Sequence, residues 1–125
     1  MSSRAALAVA GLLLALATLT GAFGAHALRA QLAPERLQVW ETAVRYQFLQ
    51  SLGLLGIGLA LRGLDVEALR LAAQLLLAGV LLFCGSLYAL SLGAPRALGI
   101  LTPLGGLAWI AAWLTFAWGA WRASS

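Results

Sequence analysis

His26 is the single histidine of the chain and closes the stretch TGAFGAH, three residues before Arg29. An imidazole can serve as base, proton carrier or metal ligand. Haem or metal ligation needs further ligands, and with no second histidine a bis-histidine site could arise only between protomers. Cys84 is likewise alone, which excludes an intrachain disulfide and any cysteine-based metal cluster within one chain. It lies in an apolar run with no cation close in sequence, where a thiol behaves as a small hydrophobe. A thiol nucleophile would also need His26 as its base, from the end of another helix. No catalytic residue, metal or cofactor is assigned on these grounds. His26 is expected to hydrogen-bond, holding the end of a first helix to the polar start of a second.

A second constellation lies in VWETAVRYQFLQ. Glu41 and Arg45 stand one helical turn apart in the favourable acid-first order. The spacing could serve a proton or ion relay, but it suits better an interfacial ion pair that lowers the cost of entering lipid. Thr42, Tyr46 and Gln50 form a stripe at i, i+4 and i+8, turned away from Glu41, with Gln47 beside it. Such a stripe could line a conduit or bind a headgroup; more often it hydrogen-bonds neighbouring helices, at ~0.6 to 2 kcal/mol per bond in a membrane. His26, Glu41, Arg45, Tyr46, Gln47 and Gln50 together make the candidate binding set. Further along, Cys84, Tyr88 and Ser91 share a helix face, and Trp109 and Trp113 stand one turn apart in a long apolar run. Indoles that deep are expected to pack.

The elements that carry these residues are apolar. Of 125 residues 62% are hydrophobic and 10% charged, with a mean hydropathy of +0.94; soluble domains run near ~45 to 50% apolar and ~25% charged. So short a chain has too little polar surface to cover a water-soluble exterior, which points to the bilayer as solvent. Residues 5–25 contain no charge, and ~20 residues suffice to cross the hydrocarbon as a helix. The same run resembles a secretory signal peptide, but its apolar core is longer than a usual h-region, so an uncleaved first span is expected. Pro34 with Glu35 suits a helix start, and no breaker follows until Gly53. The first half of that helix is amphipathic, so crossing requires Tyr46, Gln47 and Gln50 to enter the membrane facing other helices. GAPR closes a third run, and the fourth ends in WGAW before Arg122, an aromatic belt. The expected architecture is all-α: an integral membrane antiparallel four-helix bundle, one domain over residues 1–125, with transmembrane helices at about 5–25, 34–61, 69–92 and 100–121.

The net charge of +4 and pI of about 10.7 come from eight arginines scattered at the ends of apolar runs. No cluster suits a nucleic-acid groove, and the expected partner is membrane lipid. Arg4, Arg62, Arg70 and Arg122 fall on the side of the termini, with Arg29, Arg36, Arg45 and Arg96 on the other. That even division gives the positive-inside rule nothing to act on.

Small residues recur at helical spacing, with Gly11 and Ala15, Gly21 and Ala25, Gly56 and Ala60, and the pair Gly105 and Gly106. In lipid such positions permit close backbone approach. The motifs GAFGAH, VWETAVRYQ, LLFCGSLYAL and LTPLGGLAWIAAW, in this order over almost the whole chain, resemble domain-of-unknown-function family 423, the transmembrane protein 256-like family. The resemblance implies a small four-helix, multi-pass protein of the bacterial inner membrane and supplies no reaction. It carries over Gly21, Gly24, His26, Trp40, Tyr46, Gln47, Gly85, Ser86, Tyr88, Thr102, Pro103, Gly105 and Gly106. Of these, Gly21, Gly24, Gly85, Ser86, Gly105 and Gly106 are expected to pack helices. The family position of Gln50 is often histidine, and glutamine here weakens any metal or haem site shared with His26.

The functional expectation is a non-enzymatic membrane protein that binds a partner, a lipid headgroup or a small solute at a polar interfacial layer. The alternative is a small oligomeric transporter or channel, for which Pro103, Gly105 and Gly106 would break the fourth helix at its start. An enzymatic reading, such as haem redox or lipid chemistry, would require a bound cofactor.

Overall fold

Ser2 caps the first helix: its side chain accepts from the backbone N–H of Ala5 at 3.1 Å. From there the computed structural model, which describes residues 1–123, is helical almost throughout, and the described residues contain no strand. Helix α1 (Ser3–Phe23) continues into a wide π turn, Gly24–Leu28. Helix α2 (Pro34–Gly63) follows, with Pro34 in its first turn and Glu35 at the positive end of its dipole, as expected. Helix α3 (Glu67–Gly79) passes through a second π turn, Val80–Cys84, into α4 (Gly85–Ser91). A 3-10 turn, Arg96–Ile100, leads into α5 (Leu101–Ala123).

The chain breaks where local chemistry dictates. Gly93 takes φ of 103°, its N–H bonds the Leu90 carbonyl at 3.1 Å, and the Ala94 N–H reaches Ala89 at 3.0 Å. This is a Schellman ending, with Pro95 following. Pro103 does not break α5, because it falls within the first turn, where its missing N–H would have had no helical partner. The helix runs unbroken from Leu101 to Ala123, contrary to the expected break at Pro103.

Among the described residues three helical stretches are long and apolar enough to cross a membrane, Ser3–Leu28, Glu67–Ser91 and Arg96–Ala123. Helix α2 is longer still, but the charges and amides of its first half keep it out of that set. It lies antiparallel to α1 along its whole length. A Cβ at Gly58 would stand 2.9 Å from Leu7, and the Ser3 hydroxyl donates to the Gly58 carbonyl at 2.8 Å. At the other end a Cβ at Gly21 would stand 3.3 Å from Val44.

Leu54, Ile57, Leu61, Leu69 and Leu76 fill the centre of the bundle, and α1 meets it with mostly small residues. The buried stripe of α1 is Ala6, Ala10, Leu13 and Ala17, while Leu12 and Leu19 are each 65% exposed. Lipid tails are as apolar as leucine, so moving leucine inward gains little, whereas close backbone approach gains dispersion. The tightest crossing joins α3 to α5. A Cβ at Gly105 would lie 2.5 Å from the Phe83 backbone N and 2.9 Å from the Gly79 carbonyl oxygen. Gly24 and Gly79 each receive an indole, Trp40 and Trp109 respectively, and Gly53 receives Trp113. Ser86 bonds Thr102 of α5, and Gly21, Gly24 and Gly105 lie at helix contacts. Gly85 and Gly106 do not: a Cβ at either meets nothing within 4 Å, because each lies a residue away from the contacting face. Gly11 and Gly56 are also open, and the packing roles fall to Gly53, Gly58, Gly79 and Gly119.

Gly105→Ala should therefore destabilise the bundle by about 1 to 3 kcal/mol, since the obstructing atoms are backbone. Gly106→Ala should leave stability within about 0.5 kcal/mol. Unfolding in mixed detergent followed by circular dichroism checks both, and equal effects would contradict the assigned crossing.

Candidate functional site

Gln47 projects from α2 into the interior, where it is 4% exposed, and a carboxamide buried there must be paired. Its Nε2 donates to the Leu13 carbonyl of α1 at 2.8 Å, and its Oε1 accepts from the Tyr88 hydroxyl of α4 at 2.6 Å. The Thr20 hydroxyl lies 3.0 Å from the Tyr88 oxygen, and because Tyr88 has given its proton to Gln47, Thr20 can supply one in return. Two turns along α2, the Trp40 indole donates to the Thr20 carbonyl at 2.9 Å and packs edge-on to Tyr88 at 4.6 Å. These bonds join α1, α2 and α4. A second polar pair, Ser86 and Thr102 at 2.6 Å, ties α4 to α5.

This arrangement separates the six residues that sequence grouped together. Gln47 is committed to the interior. Gln50 turns toward α5 and accepts from Trp113 Nε1 at 3.0 Å. Tyr46 stacks on Trp109 at 5.9 Å and meets Phe83 edge-on at 5.2 Å. The deep indoles pack as expected, Trp109 also donating to the Leu76 carbonyl at 3.1 Å. His26 is exposed and its side chain makes no hydrogen bond among the described residues; the end of α1 and the start of α2 are linked by Trp40 through Gly24 and Thr20. Cys84 is buried at 2% exposure, so it forms no dyad with the exposed His26. Among the described residues no three His, Cys, Asp or Glu side chains gather as a metal site.

Glu41 and Arg45 remain together, but not as an ion pair. The ion pairs among the described residues are those of Arg70 with Asp65 and Glu67, each at 3.6 Å, at the start of α3. Instead Glu41 and Arg45 line a cavity of about 290 Å³ between the end of α1 and the first half of α2. Gly21, Gly24 and Ala25 form one wall, Leu37, Trp40 and Val44 the other, and Arg29 completes the rim. Gly24 and Gly21 let Trp40 and Val44 approach closely, which closes the floor of the groove. Two guanidiniums and one carboxylate, none in an ion pair, leave it with one positive charge in excess. Arg29 was legible only as an interface marker. Its approach to α2 depends on the π turn at Gly24–Leu28, which residue types do not announce.

A family profile described as a protein of unknown function, DUF423, matches residues 20–106. A UPF0382 membrane protein of Staphylococcus haemolyticus is 48% identical over 95 residues, covering 76% of this chain and 77% of the relative. The similarity is 43% over 95 residues to a UPF0382 membrane protein of Bacillus subtilis, covering 75% and 77%. For one of Haemophilus influenzae it is 37% over 106 residues, covering 84% of each. No solved structure matches.

Tyr88→Phe removes the proton that satisfies Gln47 and should destabilise the bundle by about 0.6 to 1.7 kcal/mol. Ser51 is fully buried and its hydroxyl has no hydrogen-bond partner among the described residues; Ser51→Ala should therefore be neutral or stabilising. Detergent unfolding of both variants checks the assignment, and a larger loss for Ser51→Ala would contradict it.

Proposed function

The chain belongs to the DUF423 family, and from that membership we propose a multi-pass protein of the bacterial inner membrane, without enzymatic activity, that binds the polar end of an amphiphile in the groove between α1 and α2. In this reading all four long helices cross the bilayer as one domain, and α2 enters beside α1. Val44 against Gly21 puts Arg45 at a level eight residues before Arg29, about 12 Å of helix rise inside the charged end of α1. A guanidinium that far below the headgroups is costly unless it is paired or reaches a polar group.

The observation that carries the proposal is the unpaired state of Arg45 and Glu41 on one cavity wall. In the favourable i, i+4 geometry they would be expected to neutralise each other; instead both face a space large enough for a ligand's polar end. The buried Cys84 and the exposed His26, which form no nucleophile and base pair among the described residues, support binding rather than chemistry. The transporter alternative drew on a break in α5, and that helix is continuous.

Native mass spectrometry of the full chain released from membranes should detect a retained amphiphile whose occupancy falls about tenfold or more in Arg45→Gln, the loss of one charge-assisted contact. His26→Ala should leave occupancy unchanged. Equal occupancy in wild type and Arg45→Gln would count against the groove as a binding site.

A further inference from the structure

The order of charges along the groove specifies more than affinity for an anion. Glu41 and Arg45 lie one turn apart on α2, and their depths differ in a known sense. Trp40 packs on Gly24 and Val44 packs on Gly21, so Glu41 sits nearer the loop end and Arg45 a turn further from it, toward the middle of α1. A phospholipid enters such a groove with its acyl chains along the hydrocarbon, its phosphate above them and its headgroup substituent outermost. The phosphate then meets Arg45, and the substituent meets the carboxylate of Glu41. Taken with the proposed binding groove, on which this inference rests, we propose that the site selects phospholipids bearing a primary ammonium headgroup, of the phosphoethanolamine type.

Three features carry the assignment. Side chains one turn apart are separated by ~5 to 6 Å, which matches the two-carbon bridge between a phosphate and an ethanolamine ammonium. Glu41 is acceptor-only when ionised, so it rewards a substituent with N–H donors and gains no hydrogen bond from a quaternary choline. Choline sites use an aromatic cage, and here a single aromatic residue, Trp40, lines the cavity, its ring already packed against Tyr88 and Phe23. An anionic lipid with a glycerol headgroup would satisfy the arginines but offer the carboxylate no positive charge.

The test holds the protein constant and varies the nitrogen. The full chain is exchanged into mixed micelles containing equal amounts of phosphatidylethanolamine, its N-methyl and N,N-dimethyl derivatives, phosphatidylcholine and phosphatidylglycerol, and bound lipid is read by native mass spectrometry. Occupancy should fall stepwise with each methyl group, with phosphatidylethanolamine exceeding phosphatidylcholine by about tenfold. Glu41→Gln should flatten the series to within about twofold, and Arg45→Gln should lower every phospholipid together. Both residues are exposed, and circular dichroism verifies that the variants keep their helicity. A flat series in wild type, or a preference for phosphatidylglycerol, overturns the ammonium assignment while leaving the groove in place if Arg45→Gln still lowers binding. Occupancy indifferent to Arg45 overturns both.

Discussion

A carboxamide in a lipid-embedded interior has few ways to be satisfied, and Gln47 uses a single one. Its amide reaches the α1 backbone at Leu13 while its carbonyl takes the Tyr88 proton from α4. Both ends are committed, so α2 cannot rotate about its axis without leaving a buried polar group unpaired. Everything else on α2 follows from that rotation. Tyr46 and Gln50 are turned to the aromatic residues of α5, and Glu41 and Arg45 to the opening beside the end of α1. The polar interior therefore acts as the register of the bundle, and the groove is what the register leaves outside.

The apolar part of the structure accepts this arrangement because small residues at the helix crossings let backbones approach closely around a core of Leu54, Ile57, Leu61, Leu69 and Leu76. Alanines and glycines fill the α1 and α2 contact, and α5 presses its backbone at Gly105 onto the turn that ends α3. Leucines cover the lipid-facing surface. Two indoles that would ordinarily sit at an interface are instead seated on glycines in the interior, Trp40 on Gly24 and Trp109 on Gly79, each with its N–H given to a backbone carbonyl. A seated indole and an empty Cβ position are one device: the ring takes the volume the glycine leaves, and its N–H finds a carbonyl at the helix it crosses.

The helices were largely legible in the sequence, because charge and proline punctuate them: Pro34 starts α2 where expected, and GAPR stops α4 through the positive φ of Gly93. Gln47 and Gln50 also bond other helices, as polar side chains in an apolar run were expected to do. What the sequence left hidden was rotation. Gly105 and Gly106 are indistinguishable by type, yet one meets the Phe83 backbone and the other meets nothing, since adjacent helical positions differ by about 100° of azimuth. For the same reason the five candidate binding residues within 41–50 divide among interior, aromatic face and groove. His26 drew attention as the lone imidazole, but the π turn that follows Phe23 leaves it exposed, and Trp40 takes over the link between helices. The ion pair that spacing permits between Glu41 and Arg45 does not form; both residues line the cavity instead.

The functional account thus turns on one guanidinium, Arg45, held below the rim of the bundle and meeting a lipid phosphate there. Solid-state NMR on the full chain in bilayers, with arginine carbons labelled and the dipolar coupling to lipid phosphorus measured, observes that contact directly. The account predicts a guanidinium carbon within salt-bridge distance of phosphorus, about 4 to 5 Å, whose signal disappears in Arg45→Gln and persists in Arg96→Gln. A phosphorus contact that is absent, or that survives the loss of Arg45, would contradict it.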